Sequence, residues 1–367
     1  MDKGAMYFEW TFDMIRDAGL KFLETESKLL TDKKNLANAD PYNLEYINGE
    51  FEEHFSEIIV EGAALNKRFL QDIYAYYIQV LILLKTNLMI GRDRIISRRK
   101  LGIKYNYYCQ YGITKEAEEC NSELNEKITI WSQEQDLSKI HQIIDKLKGE
   151  LLSIEIENVG TWSNYQDLFG EDDVRFKTII DEIKQMGEGT KISSVLELAG
   201  NQGLLSKMIE KNIPSIESII CTDYDEVALD KLYLSIKDSE YRKIQPRIFD
   251  ITRPIVPSLT LGSEDKRLES DVVVAMAITH HLLLSQNISM GCLFEYLAVL
   301  SKKYILIEFM PLGFWDSKSQ SAPPIPDWYI LDNFINGMKE YWNIIEQRKT
   351  AKNRILIIGK RLEPNTI

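Results

Sequence analysis

Two adjacent histidines, His280 and His281, follow Thr279 directly after the apolar run "SDVVVAMAI", and they are half of the chain's 4 histidines. A neutral imidazole with its ordinary pKa of about 6.5 takes a proton from a hydroxyl or amine as that atom attacks an electrophile. Glu308 closes a later apolar run, "KYILIEFM", where it can orient either histidine or hold a substrate hydroxyl. A lone histidine is more often structural, whereas a pair beyond a buried strand favours function. On an extended strand the two rings point to opposite faces, so sharing a metal ion needs a turn. No catalytic metal is expected.

A second group lies upstream in "VLELAGNQGLLSKMIE". The apolar run ends at Glu197, passes through Ala199, Gly200, Asn201 and Gly203, and resumes with helical spacing. Small residues let a ligand approach the backbone, and the free N–H groups of the following helix can face an anion such as a carboxylate. Asp223 ends the next run, twenty residues after Gly203, where an acid can accept hydrogen bonds from both ribose hydroxyls. The competing role, an N-cap, fits Asp225 better. Asp250 in "RIFDIT" falls at a third strand end, where it can receive an adenine amino group while Ile251 packs on the ring; a turn-forming Asp is an equal alternative.

The elements that must position these residues follow from periodicity. Beyond about residue 155, short apolar runs alternate with helical segments, which predicts a parallel sheet covered on both faces. The last two, "WNIIEQRKT" and "RILIIGKRL", are joined by "TAKN" and read as a hairpin, with the final strand antiparallel at or near the sheet edge. The architecture expected is doubly wound α/β, with ligands at the carboxyl ends of the strands where strand order reverses. Residues from about 8 to 150 read as mostly helical, strongest over Phe51–Met89 and interrupted by the aromatic-rich Leu101–Ile113. The expected domains are therefore 1–155, helical, and 156–367, α/β.

Taken in order, Glu197 with its small-residue loop, Asp223, and Asp250 followed by Ile251 resemble the successive motifs of class I S-adenosylmethionine-dependent methyltransferases, over roughly Trp162 to Lys360. The family's loop often reads acidic-x-Gly-(Ala/Ser/Cys)-x-x-Gly; here Ala199 stands at the first glycine. That matters only if the backbone there is left-handed, and Gly200 is expected to supply the missing freedom. The resemblance implies a seven-stranded Rossmann-like methyltransferase sheet and S-adenosyl-L-methionine as cofactor, held by Glu197, Ala199, Gly200, Asn201, Gly203, Asp223, Tyr224, Asp250, Ile251 and Ala277. Trp162 and Tyr165 would close over it, since an aromatic face attracts a sulfonium and packs on adenine. The pattern "HHL…SQNISM…LIEFMP" also resembles a methyltransferase subgroup from bacterial nodulation, glycan and natural-product pathways. That subgroup has a Lys-x-Asp element after its proline, where this chain reads "PLGFWDSKS". The implied reaction is methyl transfer to an oxygen, or a carbon or nitrogen, of a small metabolite or glycan, with His280 or His281 as base and Glu308 beside them.

Composition narrows the alternatives. A net charge of -12 on 367 residues disfavours nucleic acid as partner. The basic stretch "GRDRIISRRK" (Gly91–Lys100) reads as a solvated helix end before an anion site. The four cysteines lack metal or redox spacing, which suits a reducing compartment and a cytoplasmic location. The beginning of the sequence lacks the continuous apolar region of a secretory signal. The window Ile73–Ile90, interrupted by Gln79, Lys85 and Asn87, is marginal for a bilayer span and reads as a buried helix. A P-loop is excluded because Ser206 precedes Lys207. A nicotinamide dehydrogenase needs a second nucleotide-binding half, and this chain ends in a hairpin instead. Amino-directed methylation of protein or RNA lacks the "(D/N)PP(Y/F)" motif. The remaining alternative is a noncatalytic scaffold binding a protein partner through its N-terminal helices, which as a domain are expected to cap the acceptor, dock a larger substrate or form a homodimer.

Overall fold

The computed structural model describes residues 4–97, 102–156, 162–165, 169–253, 264–316 and 318–363. Contacts divide the chain into two compact units, Gly4–Gly160 and Thr161–Ile367.

The C-terminal unit holds seven strands: β1 (Ser194–Leu198), β2 (Ser218–Asp223), β3 (Ile244–Ile248), β4 (Ser270–Ala275), β5 (Ser301–Phe309), β6 (Trp342–Ala351) and β7 (Arg354–Arg361). They form one sheet in the order β6-β7-β5-β4-β1-β2-β3. Pairing is parallel from β3 through β5, while β7 runs antiparallel to both β5 and β6. β7 thus inserts between β5 and β6 and leaves β6 at the edge. The whole is a doubly wound, Rossmann-like seven-stranded sheet.

Successive residues of β1 serve different cores. Val195 packs with α1 (Val174–Gly189), α2 (Leu204–Asn212) and α3 (Glu226–Ile236), whereas Leu196 and Leu198 pack with α5 (Met290–Leu300) and α6 (Leu331–Met338); α4 is the short Glu264–Leu268. Period-2 side-chain alternation with both faces apolar is why the middles of β1, β2 and β4 are nearly continuous apolar runs. Chain order reverses at β1, which has β2 on one side and β4 on the other. Its carboxyl end therefore opens on the crevice where such sheets bind ligands.

The N-terminal unit is mainly helical, with long helices at Phe12–Thr31, Lys115–Trp131 and Leu137–Leu152, but it also contains two antiparallel ribbons. Leu44–Ile47 pairs with Glu50–Glu53, and Lys34–Leu36 with Ile59–Glu61. This corrects the helical reading of Phe51–Met89, whose helix starts only at Lys67. Asn48 and Gly49 turn the first ribbon at positive φ, as an Asn-Gly hairpin requires. Ile103–Tyr111 is in turn a helix bounded by Gly102 and Gly112, not an interruption.

Two further expectations change. Ile73–Ile90 divides at Asn87, which caps a new helix. Among the described residues no helix is long and apolar enough to cross a membrane. Arg92 and Arg94, read as part of a solvated end, are buried: Arg92 donates to the Trp10 carbonyl at 2.6 Å and Arg94 to the Asn106 side chain at 2.5 Å. The rest of that basic cluster, at 98–100, lies outside the described residues.

Candidate active site

The turn after β1 takes three left-handed residues, Ala199 (φ 54), Asn201 (φ 52) and Gly203 (φ 68). Ala199 therefore occupies the backbone region that its methyl disfavours. Gly200 does not supply the missing freedom, because its own φ is not positive; its part is to make room. A Cβ on Gly200 would sit 2.4 Å from Cys221 Sγ and 2.8 Å from Glu197 Cδ. A left-handed non-glycine residue costs about 1–2 kcal/mol, partly offset because glycine loses more entropy on folding. Ala199→Gly is accordingly expected to raise stability by about 1 kcal/mol. Urea unfolding showing a lower midpoint for the variant would contradict this.

Gly203 is the N-cap of α2 and has no side chain to satisfy the helix's first N–H groups. Glu197 does this from the strand: one oxygen accepts from Ser206 N at 3.0 Å and from Ser206 Oγ at 2.5 Å. Burial raises the Glu197 carboxyl from 4.5 to about 7, against the lowering effect of the Ser206 hydrogen bonds. The folded protein keeps this proton up to about pH 7 while the unfolded chain releases it near 4.5, so its stabilising contribution is lost as pH rises through that window. His280, lowered by burial from 6.5 to about 3, acts in the opposite sense, its stability lost as pH falls below 6.5. A variant comparison isolates the carboxyl. Glu197→Gln should gain about 2.5 kcal/mol relative to wild type between pH 5 and pH 8, most of the effect of a carboxyl raised from 4.5 to about 7. Parallel urea curves at the two pH values would refute it.

Asp223 ends β2. Its Oδ2 accepts from Asn201 N and its Oδ1 from Asp225 N, both at 2.9 Å. A carboxylate has four lone-pair sites, and the Tyr224 backbone N–H pulls on it besides these two donors, so at least one site is left for a further donor. Burial pushes the carboxyl up to about 6, while the backbone N–H donors of Asp225 and Asn201 pull it down. Asp225 caps α3 through Ala228 N at 3.1 Å, the capping role assigned to it from sequence.

The short Trp162–Tyr165 segment is tied to this turn. Trp162 N donates to Asp225 Oδ2 at 3.1 Å, and the Trp162 carbonyl accepts from Asn201 Nδ2 at 2.8 Å. The Ser163 carbonyl accepts from Gln202 Nε2 and Lys231 Nζ, both at 2.9 Å. Trp162 and Tyr165 stand edge to face, 5.7 Å between centroids.

The remaining candidates sit differently. Tyr224 is exposed. Asp250 Oδ1 is engaged by Thr252 N at 2.9 Å and Thr252 Oγ1 at 2.6 Å, and its Oδ2 by Arg253 at 3.2 Å, so it makes its own turn. Ile251 packs partly buried against one core.

Past β4, Ala277 is again left-handed (φ 52), and its N–H donates to Glu308 Oε2 at 3.0 Å. Thr279 Oγ1 donates to the Glu308 carbonyl at 2.7 Å. The chain then turns helical: Thr279 and His280 begin a helical turn that continues as a π turn over His281–Ser285. The histidines are thus not on an extended strand; their ring centroids lie 4.1 Å apart. Among the described residues no three or more of His, Cys, Asp and Glu form a metal-binding group. Phe314 packs 5.1 Å from His280 and 5.0 Å from His281, and Trp162 lies 5.2 Å from His281. His280 is buried and His281 half-buried; burial lowers the pKa of both.

Three residues of this cluster were not anticipated. Arg354, the first residue of β7, donates through Nη1 to Glu308 Oε2 at 2.5 Å and through Nη2 to Tyr165 Oη at 3.4 Å. Phe314, in the stretch "PLGFWDSKS", packs against both histidine rings. Arg175, paired with Asp173 at 2.6 Å, lies over the Phe169 ring at 4.5 Å. No local pattern marks an arginine at a hairpin tip as part of a site.

The crevice fits the cofactor implied by the sequence. Asn201 Oδ1, His280 Nδ1 and Glu308 Oε1 are buried and lack a hydrogen-bond partner among the described residues. Buried polar atoms are ordinarily paired, so three around one crevice suit a polar ligand. The remaining lone-pair capacity of Asp223 adds a contact for a ribose hydroxyl.

No protein-family model and no curated protein matches the sequence. Solved structures do resemble part of it. The magnesium protoporphyrin IX methyltransferase ChlM from Synechocystis, with bound SAH, is 10% identical over 55% of this chain and 94% of that one, with a TM-score of 0.39. The N-methyltransferase NodS from Bradyrhizobium japonicum is 12% identical over 52% and 99%, at 0.36. WbdD is 14% identical over 54% and 42%, at 0.38.

Proposed function

We propose that this chain is an S-adenosylmethionine-dependent methyltransferase acting on an oxygen of a small metabolite or glycan, with carbon and nitrogen acceptors as variants of the same chemistry. The observation that carries this reading is the left-handed turn after β1 at the point of strand reversal, with Asp223 beside it and the unpartnered polar atoms around it. Asp223 would take the ribose hydroxyls, the turn from Ala199 to Gly203 the methionine carboxylate, and Asn201 Oδ1 the ammonium. Trp162 and Tyr165 would pack on the cofactor's cationic and aromatic parts.

The bound cofactor supplies an electrophilic methyl on a sulfonium, so the protein's share is alignment and proton removal. Both imidazoles are neutral at pH 7, the state from which a base must start. His280 is the poorer proton acceptor and the more enclosed, so His281, between Trp162 and Phe314, is assigned as base and His280 as a wall of the site. Glu308 orients the acceptor.

Calorimetric titration with S-adenosylhomocysteine tests the cofactor. Micromolar binding is expected; a folded protein giving no heat favours the noncatalytic scaffold instead. With labelled S-adenosylmethionine and a panel of hydroxylated metabolites and glycans, His281→Ala should lower kcat by about 10²–10⁴-fold with S-adenosylhomocysteine affinity unchanged. Equal loss in His280→Ala alone would reassign the base.

A further inference from the structure

The methyltransferase reading leaves open what kind of acceptor the site takes, and the geometry around Glu308 bears on it. Glu308 is only 1% exposed. Its two oxygens are used unequally: Oε2 receives both the Ala277 N–H at 3.0 Å and Arg354 Nη1 at 2.5 Å, whereas Oε1 receives nothing from the described residues. The same holds for Nδ1 of His280, in the segment that Thr279 Oγ1 ties to the Glu308 carbonyl at 2.7 Å. A simple ion pair between β5 and β7 would not need a buried oxygen held open. Phe314 packs 5.1 Å from His280 and 5.0 Å from His281 beside these atoms, an aromatic wall of the kind that suits the C–H surface of a sugar-like molecule.

We propose that Arg354 is a positioning residue that sets acceptor specificity: by fixing Glu308 Oε2 it aims Oε1 at the acceptor, selecting molecules with a hydroxyl or ammonium at that point over those with a carboxylate or phosphate. The inference rests on the methyltransferase reading and deepens it. Arg354 spends its charge on Glu308, so an anionic acceptor group meets a paired cation and a carboxylate oxygen in a buried site, where like charges repel strongly. A hydroxyl or ammonium instead donates to a charged acceptor, the stronger kind of hydrogen bond. Lysine would keep the charge but lose the planar fork that fixes the carboxylate and reaches Tyr165.

The test uses three matched pyranoses, glucose, glucosamine and glucuronate, titrated into protein saturated with S-adenosylhomocysteine and read by saturation-transfer NMR. Wild type should bind glucose or glucosamine at least about tenfold more tightly than glucuronate. Arg354→Lys should keep that order with weaker binding, while Arg354→Met and Glu308→Gln should bring the three within about twofold. All four proteins should bind S-adenosylhomocysteine alike, which also shows that the variants fold. Glucuronate binding wild type as tightly as glucose, no pyranose binding at all, or undiminished discrimination in Arg354→Met would each overturn the inference and leave the cofactor reading standing. Wild type that takes up no S-adenosylhomocysteine fails the reading beneath it.

Discussion

Asp223→Ala is expected to weaken S-adenosylhomocysteine binding at least about a hundredfold, the combined loss of two hydrogen bonds to a charged acceptor at about 1.5–3 kcal/mol each. The same substitution leaves the N–H groups of Asn201 and Asp225 without their acceptor, so stability should also fall by about 2 kcal/mol. Wild type supplies a second, sharper readout. The free carboxyl is pushed up to about 6 by burial, and ribose hydroxyls donating to it favour the ionised form, so binding must release a proton. Affinity should therefore drop about tenfold from pH 7.5 to pH 5, where roughly one carboxyl in ten is ionised, and Asp223→Ala should lack this slope. Calorimetry at the two pH values decides it. A flat wild-type profile would mean that no ligand group donates to Asp223.

Gly200→Ala should cost about 3 kcal/mol, at the upper end of overpacking substitutions. The added methyl would lie 2.4 Å from Cys221 Sγ, a buried atom of β2 that has no free direction in which to move. Because Gly200 N also donates to the Thr222 carbonyl at 2.8 Å, relief by shifting the turn would break its attachment to β2. Adding Cys221→Ala removes the sulfur and should recover a large part of the loss in urea unfolding. If the double variant is no more stable than the single one, the constraint comes from the backbone and not from the sulfur contact.

The C-terminal unit was legible because its signals are local. The central strands are runs of β-branched and apolar residues, the more polar β6 is marked by its hairpin, and each of the seven appears where the sequence pattern placed it. Asp225 was recognised as a cap because capping involves only the next few residues. The N-terminal unit was read less well for a comparable reason. The Asn48-Gly49 turn is also a local signal, but the helical run following it overrode it, and the paired segments are only three or four residues long.

What remained hidden depends on backbone conformation and on contacts between distant segments. Residue types show that Ala199 stands where a glycine often does, yet its left-handed φ follows from how the turn is anchored to β2 and α2. The adjacency of His280 and His281 is a matter of sequence; that their rings share one side is not, because it requires the helical turn after β4. Arg354 and Glu308 are 46 residues apart and meet because β7 enters antiparallel beside β5, in a register that pairs Ile355 with Phe309 and Leu356 with Glu308. Spacing along the chain carries the period of a strand and the cap of a helix, since both are set within a few residues. Which oxygen of Glu308 is occupied and which is left open is set by strand order and register, which the whole sheet determines together.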